Sequence, residues 1–172
     1  MIAIAASARE QRERAALAPS DVEAAYRKHA HSVLRRAEQV LGSRHDAREV
    51  VQEVFVSLLE NPAQFGGQSS IVTWLYAATT NACLNRLRNR ATRARILKEH
   101  AETFPGTSEP CPPDKGLELR RALLEIPEEL AQAAIYYHLD SLTYDEIAEQ
   151  LGCSRRKVGY LLDQLRHHFR DA

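Results

Sequence analysis

The chain has 172 residues, of which 44% are hydrophobic, and its 23 basic residues are balanced by 23 acidic ones. This length suits one domain of ordinary size or two small ones, and the hydrophobic content permits a buried core. A formal net charge of zero excludes a uniformly basic nucleic-acid-binding composition, and no apolar run approaches the ~20 residues of a membrane-spanning helix.

The number and spacing of the cysteines exclude further classes of protein. Cys83, Cys111 and Cys153 are widely spaced and odd in number, which argues against a disulfide framework or a zinc knuckle. We therefore expect a cytoplasmic protein without a cofactor.

The charges are segregated along the chain. Six basic residues and one acidic residue lie between positions 84 and 100, whereas eight acidic and two basic residues lie between positions 118 and 151. Local patches of this kind decide where phosphate is attracted.

The first confident helix follows an N-terminal extension, residues 1–19, whose function the sequence does not indicate. An apolar start followed by a charged run is the wrong order for a signal peptide. Residues 19–23 (Pro-Ser-Asp-Val-Glu) are interpreted as a capping box, and Gly42 is expected to end the helix. His29 lies on the apolar stripe and is interpreted as a packed histidine rather than a ligand. The other stripe residues are Val22, Ala25, Tyr26, Val33, Ala37 and Val40.

The second helix is predicted to run from Asp46 to Asn61, because the residue before Pro62 avoids helical angles. Its expected inner face contains Val50, Val51, Val54, Phe55, Leu58 and Leu59. The expected outer face contains Glu49, Gln52, Glu53 and Ser57. The outer face is either a solvated surface or an acidic docking surface.

A glycine- and serine-containing loop, residues 65–70, precedes the third helix. Trp74 belongs to the predicted core stripe with Ile71, Leu75, Ala78, Ala82 and Leu87. Aromatic, amide and guanidinium side chains lie off this stripe and suit unstacked bases, as stacking surface, base-edge donors and phosphate partner. They are Thr73, Tyr76, Asn81, Asn85 and Arg88.

A linker is predicted next, because four prolines between Phe104 and Gly116 remove amide donors and fix backbone angles. It divides the chain into an extension (1–19), a first helical domain (20–98), the linker (99–116) and a second helical domain (117–172). The second domain opens with Leu117, Leu119, Leu123 and Leu124, and Pro127 starts a further helix with Leu130, Ala134, Ile135 and Leu139 inward. No strand pattern occurs, so the predicted fold is all-α.

Residues 143–162 are typical of a helix-turn-helix. Thr143 and Glu146 have capping-box spacing, Gly152 permits a left-handed turn, and Ser154 can cap the next helix. Val158, Leu161, Leu162 and Leu165 would then face inward. Arg155, Arg156, Lys157 and Tyr160 would face outward, where a recognition helix meets DNA. The alternative is an ordinary helical hairpin with a basic face.

Residues 21–168 together resemble an extracytoplasmic-function (ECF) sigma factor, the small two-domain branch of the bacterial sigma family. The order and separation of four stretches carry the resemblance: residues 46–55 (DAREVVQEVF), 65–81 with Thr73-Trp74-Leu75-Tyr76 and Asn81, 126–129 (IPEE), and 142–154.

This resemblance implies a role for each outward surface. Core RNA polymerase would dock on Glu49, Gln52 and Glu53. The third helix and its loop would open and hold the promoter −10 element, through Ser69, Ser70, Trp74, Tyr76, Asn81, Asn85 and Arg88. The helix-turn-helix would bind the −35 element, through Ser154, Arg155, Arg156, Lys157, Tyr160 and Arg166. An anti-sigma protein is an expected regulator.

The chain departs from the family pattern at several positions in the DNA-facing segments. Gly66 stands where an arginine is usual, and Ile71 stands where an aromatic residue is common. In the recognition helix, Gly159 costs ~1 kcal/mol of helix propensity and Asp163 would repel phosphate. Altered −10 recognition and an unpredictable −35 preference follow. Arg155, Arg156, Lys157, Arg166 and Arg170 still supply a basic face.

Two other classes of protein remain as alternatives. A sigma-like adaptor or plain helix-turn-helix regulator would bind DNA or polymerase without melting a promoter. That alternative gains if Asn81 and the Ser69–Ser70 loop do not face one concavity. An enzyme is not expected, because no residues have the spacing of a metal site or catalytic triad, and His167 and His168 diverge on a helix.

Overall fold

Seven α-helices and one short 3-10 helix make up the described part of this computed structural model, residues 17–67, 69–100 and 116–170. In chain order, the α-helices are α1 (Pro19–Leu41), α2 (Arg44–Glu60), α3 (Ile71–Glu99), α4 (Leu117–Glu125), α5 (Glu128–His138), α6 (Tyr144–Leu151) and α7 (Arg155–Arg170). The 3-10 helix spans Pro62–Phe65, between α2 and α3. These residues contain no strand, so the all-α prediction is confirmed. Most of the predicted linker (residues 101–115) and most of the N-terminal extension (residues 1–16) lie outside the described residues, and α3 extends into the predicted linker as far as Glu99.

The helix boundaries follow local capping chemistry. Ser70 Oγ accepts a hydrogen bond from the Thr73 amide at 3.1 Å at the start of α3. Gly42 ends α1 in the left-handed region, at φ 66°, as predicted.

Two predicted helix starts were wrong. The cap of α1 is not the Ser20–Glu23 pair: the Asp21 carboxylate accepts from the Ala18 amide at 3.0 Å. α2 begins at Arg44 rather than Asp46, because Ser43 Oγ accepts from the Asp46 amide at 3.2 Å and forms the cap.

The first three helices pack mainly on one another, as do α5, α6 and α7, and the buried apolar residues of both groups form one continuous core cluster. In the first group, fully buried side chains include Val33, Val50, Leu58, Leu75 and Leu84. In the second group they include Ala131, Tyr136, Ile147 and Val158. The four residues predicted to face inward from α7, Val158, Leu161, Leu162 and Leu165, are all buried.

Several predicted core positions are instead exposed. Tyr26 is 52% exposed and Leu59 is 48% exposed, so the apolar stripes of α1 and α2 are wider than the core they cover. Leu117, Leu119 and Leu124 are also exposed, and only Leu123 of the predicted α4 stripe is buried. His29 is partly buried as expected, and burial, followed by the charge of Lys28, lowers its pKa.

The two groups of helices contact each other. α4 lies against α1 and α3, and α5 lies against α3. At the end of α1, the guanidinium of Arg120 packs so closely on Gly42 that a Cβ there would collide with it. The left-handed backbone is the main reason for glycine at position 42, since the end of the flexible Arg120 side chain can shift away from a Cβ.

Candidate nucleic-acid interface

The helix-turn-helix is present with the predicted caps. Thr143 Oγ1 accepts from the Glu146 amide, and the Glu146 carboxylate accepts from the Thr143 amide at 2.8 Å. Thr143 donates two hydrogen bonds to this carboxylate, and both lower the pKa of Glu146. The bond from the amide has the larger effect, and the bond from the hydroxyl has the smaller one. Gly152 has φ 60°, and Ser154 Oγ accepts from the Lys157 amide at 3.2 Å. The turn is therefore fixed by local hydrogen bonds at both helix ends.

The first turn of α7 exposes the predicted basic residues, and two of them already have acidic partners. Arg155 lies 3.4 Å from the Asp145 carboxylate, and Lys157 forms an ion pair with Glu129. The hydrogen bond to Glu129 raises the pKa of Lys157. Arg156 is exposed. Exposed ion pairs contribute little to stability because solvent screens them, so phosphate oxygens can replace these carboxylates.

Farther along α7, the exposed face is more mixed. Arg166 pairs with Asp163 at 2.9 Å, so Asp163 offsets a charge that the sequence assigned to phosphate. Tyr160 is 62% exposed, and its hydroxyl accepts from Gln164 at 3.0 Å. A Cβ at Gly159 would lie 3.8 Å from the Tyr144 ring, which is ordinary contact. No close approach therefore requires glycine at position 159.

The loop before α3 forms a polar cleft with α6. The cleft has a volume of about 350 Å³, and Ser69 and Trp74 line it opposite Glu149 and Gln150. Trp74 is partly buried and meets the Phe65 ring edge-on, with the ring centroids 6.4 Å apart. Ser70 is exposed, and its hydroxyl lies 2.6 Å from that of Thr73.

Two of the other residues predicted to bind unstacked bases, Asn81 and Arg88, contact α5. Asn81 Oδ1 accepts a hydrogen bond from Gln132 Nε2 at 2.9 Å. Arg88 forms an ion pair with Glu128 at 2.7 Å. Neither Tyr76 nor Asn81 lines the cleft that contains Ser69 and Trp74. Asn85 is exposed.

Tyr76 lies beneath a buried arginine that the sequence did not single out. The guanidinium carbon of Arg36 is 5.1 Å from the centre of the Tyr76 ring. Arg36 is only 4% exposed and donates to the carboxylate of Asp140 and the hydroxyl of Thr80. A periodic pattern places Arg36 beside the apolar stripe of α1, but no signal within α1 indicates a partner 104 residues away.

The predicted docking surface on α2 is exposed and is bridged to α3. Arg86 donates to Glu49 at 2.7 Å and to Glu53 at 2.6 Å. The hydrogen bond to Glu49, opposed by partial burial and reinforced by nearby carboxylates, raises the pKa of Arg86. Gln52 lies beside an apolar cleft of about 510 Å³ that the sequence analysis missed. Its exposed apolar residues include Tyr26, Val56 and Leu59, which are 52%, 42% and 48% exposed.

One group of possible metal ligands occurs on α2, although no residues were predicted to have the spacing of a metal site. One ligand atom each from His45, Asp46 and Glu49 lies within 4.8 Å of the others. Asp46 also pairs with Arg90 at 3.1 Å, and Glu49 pairs with Arg86. These arginine contacts account for the clustering of the carboxylates.

Within residues 17–67, 69–100 and 116–170, no helix combines the length and apolarity needed to cross a bilayer.

Family models match both halves of the chain. The sigma-70 region 2 model matches residues 25–93, and a sigma-70 region 4 model matches residues 116–167. The helix-turn-helix lies within the second match. The predicted docking surface on α2 and the α3 residues predicted to bind the −10 element lie within the first match.

Three curated relatives are similar along most of this chain. The ECF RNA polymerase sigma factor SigE of Mycolicibacterium smegmatis is 30% identical over 84% of this chain and 58% of its own length. The ECF sigma-E factor of Haemophilus influenzae is 34% identical over 64% of this chain and 66% of its own length. The sigma factor YlaC of Bacillus subtilis is 29% identical over 84% of this chain and 87% of its own length. This chain therefore spans less than two thirds of the first two relatives.

A solved structure has a similar fold. It is the sigma factor RpoE in complex with the anti-sigma factor NepR from Bartonella quintana. The TM-score is 0.55, the sequence identity is 17%, and the match covers 88% of this chain and 95% of that one.

Proposed function

We propose that this chain, which belongs to the sigma-70 family and to its extracytoplasmic-function branch, recognises promoter DNA for core RNA polymerase and starts transcription. The observation that carries the proposal is the capped helix-turn-helix, which exposes a basic first turn of α7 and follows an α3 rich in amide and aromatic side chains. The chain acts as a binding factor in the cytoplasm, without catalytic residues or a cofactor of its own.

The proposed domain division assigns one task to each helical group. Residues 20–98 bind polymerase and the −10 element, residues 117–172 bind the −35 element, and residues 99–116 connect them. Residues 1–19 form an extension. The α2 surface formed by Glu49, Gln52 and Glu53, with the neighbouring apolar cleft, suits a protein partner because it combines charge with exposed apolar area.

The proposed task of α3 is energetically feasible. Opening duplex DNA costs ~1–2 kcal/mol per base-pair step. Stacking a base on an aromatic side chain returns ~1–3 kcal/mol. Tyr76 offers an aromatic ring, Asn81 an amide and Arg88 a cation on one helix, so capture of a few flipped bases would offset local opening.

The α7 surface supports the −35 assignment by position and charge. Arg155, Arg156 and Lys157 lie on the first turn, where a recognition helix presents side chains to base edges and phosphates. Their acidic partners Asp145 and Glu129 weaken the local positive potential. We therefore expect moderate affinity of this domain for DNA when polymerase is absent. The sigma factor RpoE of Bartonella quintana binds an anti-sigma factor, and we propose a regulator of that class for this chain.

A second candidate function is supported by the arrangement of α3. Ser69 lines the cleft near α6, whereas Asn81 contacts α5, so these residues do not face one concavity. This arrangement favours an adaptor that binds DNA or polymerase without melting a promoter.

Run-off transcription tests both candidates. The purified chain is added to bacterial core RNA polymerase with a library of genomic promoter fragments. Specific transcripts from a subset of fragments are expected. An adaptor would bind polymerase or duplex fragments in the same reactions without yielding any transcript dependent on the chain. Binding without any transcript would refute transcription initiation in favour of the adaptor, and absence of both binding and transcripts would refute both candidates.

A further inference from the structure

A small polar pocket lies where α1 meets α3 and the turn after α5. Its volume is about 200 Å³. The two arginines and the glutamine in its lining have no part in the proposed binding of polymerase or promoter DNA. The polar residues that line the pocket are Ser32, Arg35, Arg36, Gln39, Tyr76 and Asp140. Four of these six residues come from α1, so one helix supplies most of the chemistry.

Arg36 brings to this pocket a buried guanidinium whose hydrogen bonds are incomplete. The residue is 4% exposed, its Nε and Nη2 donate to Asp140, and Nη2 also donates to Thr80. The remaining nitrogen, Nη1, is buried and has no hydrogen-bond partner within residues 17–67, 69–100 and 116–170. A buried charged donor without a partner is destabilising. An acceptor held in the pocket would remove this cost.

Arg35 supplies a positive charge that the pocket does not cancel. It is exposed, and no carboxylate in the described part of the chain lies within ion-pair distance of it. Two guanidinium groups therefore line the pocket with one carboxylate, that of Asp140, which already pairs with Arg36. Gln39 and Tyr76 add an amide and a hydroxyl, and both groups can donate hydrogen bonds. This balance of charge and donors favours an anion as the occupant.

The donors suit an oxyanion with the chemistry of a phosphate group. Guanidinium groups match the geometry of phosphate oxygens, and hydrogen bonds between charged groups are stronger than neutral ones. A tetrahedral anion presents oxygens in several directions, so one anion can accept from more than one arginine. Pockets for whole drug-sized ligands start at ~300 Å³. The smaller volume here restricts the occupant to a small anion or to one end of a larger molecule.

A water molecule is the alternative occupant, because a single water could accept from Nη1 of Arg36. Buried waters commonly satisfy polar groups in this way. A neutral water would gain little from the charge of Arg35, whereas an anion would depend on it. The contribution of Arg35 to binding therefore distinguishes an anion site from a hydrated gap.

We propose that this pocket is an oxyanion-binding site, in which Arg35 and Arg36 bind a phosphate group and Gln39 and Tyr76 act as further donors. Free phosphate or pyrophosphate and the terminal phosphate of a nucleotide share the required chemistry. The inference goes beyond promoter recognition and does not depend on it, because the site is complete in the chain without polymerase or DNA.

Nuclear magnetic resonance titration of the ¹⁵N-labelled full chain tests the proposal. Sodium pyrophosphate is the probe, and sodium chloride keeps the ionic strength constant throughout. The Nε–H signal of Arg36 and the backbone amides of residues 32–39 should shift with a saturable dependence on pyrophosphate concentration. Inorganic phosphate should shift the same signals. Sodium chloride alone should leave them in place.

Two substitutions in the lining and one matched control assign the binding to the pocket. Arg35→Gln removes the uncancelled charge and should raise the dissociation constant for pyrophosphate at least about tenfold, the value of one charged hydrogen bond. Gln39→Glu adds a carboxylate at an exposed lining position and should weaken binding at least as much. Arg48→Gln is the control, because Arg48 is exposed and lies on α2, outside this pocket. It should bind pyrophosphate like the wild type.

The outcomes separate a phosphate site from a hydrated gap and from general charge attraction. An unshifted Arg36 signal at saturating pyrophosphate would overturn the proposal, as would unchanged affinity in Arg35→Gln. Equal weakening by Arg35→Gln and Arg48→Gln would also overturn it, because binding would then follow net charge alone.

A titration with adenosine triphosphate, without divalent metal, identifies the source of the phosphate group. Shifts of the same signals would support a site open to the terminal phosphate of a nucleotide. Shifts with pyrophosphate alone would support a site for the free anion. None of these measurements contains polymerase or DNA, so their failure would leave the proposed function intact, and a run-off screen without transcripts would leave the anion site intact.

Discussion

Replacing Arg155, Arg156 and Lys157 together with alanine should flatten the salt dependence of DNA binding. All three are exposed on the first turn of α7. Arg155 and Lys157 are paired with Asp145 and Glu129, which lie on the same helical group. Contact with DNA would exchange each carboxylate for a phosphate and release condensed counterions. The substitution removes three cations and leaves both acids without these partners.

The expected magnitude follows from the number of phosphates that the three side chains would neutralise. Each neutralised phosphate contributes ~0.9 to the slope of log K against log salt concentration, so removal of three cations reduces the slope by ~2.7. Between 50 and 200 mM salt, the affinity of the variant should therefore change about 40-fold less than that of the wild type. The helix itself should persist, because its inward residues Val158 and Leu162 are untouched and fully or nearly fully buried.

A matched control removes the same charge from the other helical group. Arg27, Lys28 and Arg44 are exposed, and Arg27 and Arg44 pair with Glu23 at 2.6 Å and Glu38 at 3.4 Å. Their replacement by alanine likewise breaks two ion pairs and removes one further exposed cation. The assay is a titration of holoenzyme on the strongest run-off template across that salt range. An α7 variant whose slope equals that of the wild type, or a control variant with an equally flattened slope, would refute the α7 assignment.

Four further outcomes are expected. Asn81→Ala should reduce promoter opening, measured by permanganate footprinting, more than it reduces binding to core polymerase, and equal loss of both would contradict its role. Glu49→Lys with Glu53→Lys should weaken polymerase association in a pull-down titration, because the substitution removes both carboxylates from the docking surface; the circular-dichroism spectrum should not change, and undiminished association would argue against this docking surface. Thr143→Ala should lower the free energy of unfolding by about 1 kcal/mol in urea titrations, whereas Thr143→Ser should retain the cap; equal stability of both variants would exclude a capping role. Since the folded-state pKa of Glu146 lies below its usual value of 4.5, its contribution is present above that pH and disappears as the pH falls through the folded pKa, so Glu146→Gln should reduce stability above pH 4.5 and converge with the wild type in acid; an equal deficit at all pH values would exclude this linkage.

The fold class and the helix-turn-helix could be predicted because their signals are local. A cap joins residues three positions apart, as Thr143 and Glu146 do, and a glycine such as Gly152 needs only its own backbone angles to end a helix. The inward face of α7 follows from helical periodicity in the same way. These features depend on neighbours within one or two turns, which the sequence displays directly.

Local signals were less decisive where two caps compete or an apolar stripe is wider than its core. The sequence allowed starts at Ser20 and Asp46, but Asp21 and Ser43 make the observed hydrogen bonds one or more positions away. Leu59 repeats at helical spacing and is nevertheless 48% exposed. Periodicity shows which residues share a face, whereas the neighbouring helix decides how much of that face is covered.

Only the tertiary structure decided how the two helical groups meet. Arg36 and Asp140 are 104 positions apart, and the sequence around either residue does not indicate the other as its partner. The same is true of Asn81 with Gln132 and of Arg86 with the α2 carboxylates. The sequence by itself determined the order of the helices, the caps of the helix-turn-helix and the chemistry on each exposed face. The partners of those faces depend on the placement of distant helices, because side-chain pairing across a boundary has no sequence period.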